Sequence, residues 1–176
     1  MSRKKKLIRN MVILLLIGTF YYFLGGYYLT KESCIQDNLK SWYSQDNEYI
    51  TSVKLGSYEV TLQADQDNHT ASIICTRKTG PFYQIGDSMI DCAMDKEAPI
   101  DMNGMFDHNY GSVVYIYRND KSIEEIEVIL GTGETVIMSD WEKDFILITY
   151  DDMDSWMHTI CRVYNENHEV VYETAF

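Results

Sequence analysis

The first 30 residues most constrain what this chain can become. Arg3, Lys4, Lys5, Lys6 and Arg9 precede a run, Met11 to Thr30, that carries no charged side chain. As an α-helix those residues would rise about 30 Å, the thickness of a bilayer's hydrocarbon core. Five cations before the run and only Lys31 just after it orient such a span with its N-terminus in the cytoplasm. A cleaved signal peptide fits less well. Its apolar region runs about 7–15 residues and ends in small side chains, whereas no A-x-A-like site follows this run and Tyr27 and Tyr28 are poor neighbours for one. The expectation is an uncleaved single-pass anchor over 1–30, with the rest of the chain extracytoplasmic at the cell membrane.

Charge is divided between the two parts. All 27 acids follow Thr30, against ten of the 15 basic residues, so the remainder carries a net −17. Such a surface argues against nucleic acid or anionic lipid headgroups as its partner. Four cysteines, Cys34, Cys75, Cys92 and Cys161, allow two disulfides in three connectivities. Cys75–Cys92 is the most local pair, and Cys34–Cys161 would complete the set.

Local patterns then divide the chain. Ile35, Leu39, Trp42 and Tyr43 form one apolar stripe and predict a short helix over 31–44, capped by Thr30 or Ser33. Tyr49, Thr51, Val53 and Leu55 alternate with Ile50, Ser52 and Lys54 up to Gly56-Ser57, a two-residue Gly-X hairpin turn. Tyr58 to Ala64 returns with the same alternation, His69 to Lys78 follows as a third strand, and a short strand is expected around Phe82 to Ile85. Residues 87–110 show neither period and read as a long irregular loop. From Ser112 strands resume. Val113 to Tyr117 is apolar at every position, as in a central strand, and further strands are expected around 126–130, 135–138, 145–150, 156–164 and 169–174. The fold class is thus α+β. An N-terminal transmembrane helix is followed by a short helix on an antiparallel meander (31–110, with the loop 87–110). A mainly antiparallel β-sandwich-like part completes the chain (111–176).

The succession VVYIYRND…IEEIEVILGTGETV…FILITY…RVYNENHEVVYE resembles the C-terminal β domain of small, mostly uncharacterised bacterial surface proteins of Gram-positive type, anchored by one span or by lipid. The resemblance covers about Ser112 to Glu173. It implies a fold and a location, and brings no activity with it. Where such sequences often place glycine in the last turn, this one has His168, which is then expected in the left-handed region.

No catalytic, metal or cofactor residue is assigned. Asp151, Asp152 and Asp154, and separately Asp65, Asp67 and Asn68, are calcium-type oxygens but lack the glycine and distal glutamate of an EF-hand loop. Met102, Met105 and His108, with Cys92 nearby, are soft ligands that Cu(I) could use. His158 and Cys161 lie three apart on an expected strand, on opposite faces. The leading expectation is a non-enzymatic extracytoplasmic binding or accessory module, its partner a protein at or near the membrane. The candidate contact loop holds Met89, Met94, Met102, Met105 and His108. The alternatives are an envelope hydrolase with a carboxylate pair, or a metal- or redox-sensing ectodomain.

Overall fold

The computed structural model describes residues 3–42, 44, 47–150, 158–165 and 167–175. Helix α1 (Arg3–Leu24) opens the chain. It stops short of the expected end at Thr30. Gly25 and Gly26 leave the helix, Gly26 at φ 62°. Tyr28 then bridges Tyr83 through two backbone hydrogen bonds of 2.8 and 2.7 Å. The uncharged helical stretch, 11–24, rises about 21 Å, less than a hydrocarbon core of about 30 Å. Among the described residues no helix is long and apolar enough to cross a membrane, so the transmembrane reading of 1–30 is not supported by the helix itself.

Helix α2 (Lys31–Ser41) begins at Thr30, whose Oγ1 accepts from the Ser33 amide at 3.1 Å. Glu32 in the first turn and Lys40 in the last complement the helix dipole. The helix buries Cys34, Ile35 and Leu39. Trp42, expected on the same stripe, lies past the helix end and is 65% exposed. Tyr43 lies outside the described residues.

The strands are β1 (Glu48–Leu55), β2 (Tyr58–Asp65), β3 (Thr70–Thr79), β4 (Phe82–Ala93), β5 (Ile100–Asp107), β6 (Gly111–Arg118), β7 (Ile126–Ile129), β8 (Thr135–Met138), β9 (Phe145–Tyr150), β10 (Ile160–Tyr164) and β11 (Val170–Ala175). They form three antiparallel sheets, with orders β1-β2-β3-β4, β5-β6-β9 and β11-β10-β7-β8. The protein is α+β with mostly antiparallel pairing, as expected.

In the first sheet the Gly56-Ser57 turn sets the register. Leu55 opposes Tyr58, Val53 opposes Val60, and Gly56 takes φ 61°. A bulge between Tyr49 and Thr51 reverses the expected alternation. Ile50 turns inward, 4% exposed, and Tyr49 outward, 50% exposed. Ala71, Ile73 and Cys75 face one core, while Ile74 on the opposite face packs with Ile35 and Leu39 of α2.

The expected loop at 87–110 is largely strand. β4 runs to Ala93, and β5 follows from Ile100 to Asp107. Two bulges hid β4. One lies at Gly86, where Cys75 opposes Asp87 but Thr76 opposes Ile85. The other lies between Met89 and Cys92, where Asp91 takes φ 49°. Each bulge shifts the side-chain period by one residue, so no alternation survives across the strand. Since β5 pairs with β6, the division expected at 110 falls inside the β5–β6 hairpin.

The sheets stack with α2 as four layers. One face of the β5-β6-β9 sheet (Met105, Val113, Tyr115, Tyr117, Phe145) packs on the β1–β4 sheet. The other (Ile100, Val114, Ile116, Ile146, Ile148) packs on the β7, β10 and β11 strands. Strand β6 is therefore buried on both faces, as its unbroken apolar sequence predicts.

Candidate functional site

The residues expected to line a contact loop are dispersed. Met94 and Met105 are 4% and 8% exposed in the first core, with Met89 packed against it. Met102 packs in the second core, on the opposite face of β5. Only His108 is exposed, in the β5–β6 turn. Because successive side chains alternate across a strand, the odd–even pair Met102 and Met105 cannot share a coordination sphere, which removes the copper reading. Among the described residues no three His, Cys, Asp or Glu side chains group to hold a metal ion. Asp65 serves its turn instead, accepting from the amide and the side chain of Asn68 at 3.0 and 2.6 Å. Asp151, Asp152 and Asp154 lie outside the described residues.

The cysteines do not pair as disulfides. Cys92 opposes Ala71, four ladder positions along β3 from Cys75, or about 13 Å. That exceeds the reach of a disulfide. Cys34 sits on α2 and Cys161 in the second core, with two sheets between them. Burial pushes the Cys34 thiol up to about 11, and Cys75 and Cys161 up to about 12. Native labelling with iodoacetamide should therefore modify half-buried Cys92 first, and the other three only after unfolding. Mass spectrometry without reduction should count four free thiols; a mass two units lower would mean a bond formed against this register.

A different feature emerges where the sheets end. Strands β1, β9 and β8 are each the edge of their sheet, and all three line one groove of about 900 Å³. Its floor is β9; its walls are Thr51–Val53 of β1 and the stretch from Val136 of β8 to Glu142. Val53 and Leu147 both pack on the first core, and Met138 packs on the second, which holds Ile146 and Ile148 of β9.

The backbone of β9 is oriented by two observations. The Arg118 amide donates to the Asp144 carbonyl at 3.0 Å, and Phe145 exchanges hydrogen bonds of 2.7 and 2.9 Å with Glu142 on the side away from β6. In an antiparallel ladder these directions alternate. Ile146 and Ile148 therefore bond to Ile116 and Val114, while Leu147 and Thr149 turn their N–H and C=O groups into the groove. Among the described residues no backbone group answers them. Glu142 thus begins a fourth strand on this sheet, and the chain leaves it after one position.

The closed end of the groove is held firmly. Lys143 and Asp144 take φ 49° and 71°, the left-handed pair of a tight hairpin. Asp144 accepts from Arg118 Nε at 3.0 Å and lies 3.2 Å from Lys121. Arg118 also donates to the Ile123 carbonyl at 2.7 Å and stacks 4.8 Å from the Trp141 ring centroid. The Trp141 indole donates to the Glu124 carbonyl at 2.7 Å. Lys143 is spent on Glu48 and the Tyr49 carbonyl, at 2.6 and 2.8 Å. Among the described residues the lining holds Asp140 and Glu142 and no basic residue.

One carboxyl outside the groove stands apart. Burial raises Asp101 on β5 above the usual carboxylate range, and Asp95 nearby adds repulsion. Neither lines the groove. Sequence reading missed the groove because open edges belong to the assembled sheets; the hint available was FILITY, an uncharged apolar strand. Searched against known protein families, curated proteins and solved structures, this chain has no match.

Proposed function

We propose that this protein is a non-enzymatic binding module of the cell envelope, held at a membrane by α1 and presenting the β9 groove to a polypeptide partner outside the cytoplasm. The observation that carries the binding function is the open edge of β9. Unanswered main-chain donors and acceptors at the floor of an apolar recess are a template for another strand.

The anchor rests on exposure. Leu7, Ile8, every residue from Met11 to Ile17 and Phe20 are exposed, the large apolar ones by 46–70%. Seven consecutive exposed residues span almost two turns, so no face of that stretch is covered by the described residues. Its 22 residues rise about 33 Å, enough to match a bilayer when the long stems of Arg3 to Lys6 and Arg9 reach back to the headgroups. At the far end Phe82 meets Tyr22 and Tyr27, each at 5.9 Å between ring centroids, an aromatic collar of the kind that sits at a membrane interface. The acidic remainder is repelled by anionic headgroups, which confines its contact with the bilayer to this collar.

Flotation with neutral phosphatidylcholine vesicles in high salt tests this. The full chain should float, and a Leu15→Asp, Leu16→Asp variant should remain at the bottom, since each buried aspartate costs about 3 kcal/mol at a helix centre. A wild-type chain left at the bottom would remove the anchor from the proposal.

A further inference from the structure

Resting on that reading, we infer that the groove takes an extended segment of another polypeptide, which adds antiparallel to β9 as the fourth strand of the β5-β6-β9 sheet, its side chains apolar and its C-terminal end basic. Three features specify this occupant.

The first is the main chain. Leu147 and Thr149 offer two N–H and two C=O groups at the floor of the recess, in line with the antiparallel pairing that Glu142 has already begun on Phe145. A segment continuing from that stub completes the ladder, and its C-terminal end abuts Glu142. The second is shape. Because β1 and β8 stand on either side of β9, the edge is recessed, and one thin strand can enter it. A second copy of this chain is excluded by the same walls, since two recessed edges cannot meet without displacing them. An added strand alternates its side chains between Val53 with Thr51 on one wall and Val136 with Met138 on the other, which favours apolar and β-branched residues. The third is charge. Asp140 and Glu142 line the closed end, and the neighbouring cations, Lys143, Arg118 and Lys121, are already engaged with Glu48 and Asp144. A lysine or arginine at the end of the guest strand meets two carboxylates there and, among the described residues, no unengaged cation.

The test uses the full chain in detergent micelles and a fluorescein-labelled probe peptide, three Val-Thr repeats followed by two lysines and a C-terminal amide, read by fluorescence anisotropy. Saturable binding is expected. Thr149→Pro removes one outward N–H and blocks the edge without taking a bond from the β6 ladder. It should weaken binding at least tenfold, while Thr149→Val changes it less than threefold. Replacing the two lysines of the peptide with glutamates should weaken binding about tenfold, and the Asp140→Lys, Glu142→Lys variant should reverse that preference. A peptide N-methylated at every valine and threonine keeps the side chains, lacks the backbone donors and should not bind.

Equal binding of the N-methylated peptide overturns the inference on the ligand side, whatever Thr149→Pro does to folding. So does concentration-dependent dimerisation of the chain that Thr149→Pro abolishes, which would give the edge to a second copy. A photo-crosslinker placed at exposed Ile137 on the rim separates this inference from the broader one. A cellular adduct that the lysine peptide fails to compete away sinks the strand chemistry and leaves a binding groove. The absence of any adduct sinks the binding function itself.

Discussion

Replacing Phe145 with alanine is expected to destabilise the fold by about 3–5 kcal/mol and to lower the thermal midpoint by roughly 10 °C or more. The ring is wholly buried. It lies 5.9 Å from Tyr115, edge to face, and 4.7 Å from Tyr117, tilted, centroid to centroid, contacts that add to the burial of its area. It also stands where the Lys143–Asp144 turn meets β9, so a cavity there loosens the floor of the groove. The affinity for the lysine probe peptide should fall together with stability, and Phe145→Leu should recover most of both. Urea unfolding of the two variants beside wild type measures this. A loss below about 1 kcal/mol for alanine would mean that the site collapses around the deletion, and that Phe145 does not set the position of the edge.

Gly104→Ala is the second change with a large expected effect. Gly104 opposes Val114 across the β5–β6 ladder, at a non-hydrogen-bonded position, where paired Cα atoms approach to about 4.5 Å. A Cβ at Gly104 would stand 2.5 Å from the Val113 carbonyl oxygen and 2.9 Å from the Val114 Cα. Both are backbone atoms, so no rotamer change relieves the contact and β5 must move away from β6. A cost of about 3 kcal/mol is expected, at the upper end of ordinary overpacking. Gly18→Ala is the matched control, since nothing lies within 4 Å of a Cβ there. Far-UV circular dichroism against temperature compares the two. Equal midpoints for Gly104→Ala and wild type would show that the β5–β6 pairing has slack the geometry does not suggest.

Several elements were legible locally because their causes are local. Thr30 caps α2 through a side chain three residues from the amide it receives. Gly56 supplies the positive φ that a two-residue hairpin needs, and the register of β1 on β2 follows from it. His168 adopts φ 57° in the last turn, as expected of a residue in a glycine's place. The misreadings came where one residue resets the count. Ile50 turned β1 over, and Gly86 and Asp91 hid most of β4. Those bulges are chosen by packing across a sheet and leave little trace in the period of one strand.

The candidate site was out of reach for a related reason. FILITY reads as an apolar strand whether it lies at the centre of a sheet or at its edge. Its position is decided by which strands pair across long separations, β9 with β6 and β10 with β7. By itself the sequence determined the basic and apolar N-terminal segment, the strand-rich character, the tight turns and a strand apolar on both faces. These depend on neighbours a few residues apart and on the constant periods of helix and strand. Only the tertiary structure decided that three sheets stack, that their edges β1, β9 and β8 end on one side, and that among the described residues no backbone group meets those of Leu147 and Thr149 between them. An edge is defined by the strand that is not there, and that depends on how the whole set of sheets shares its burial.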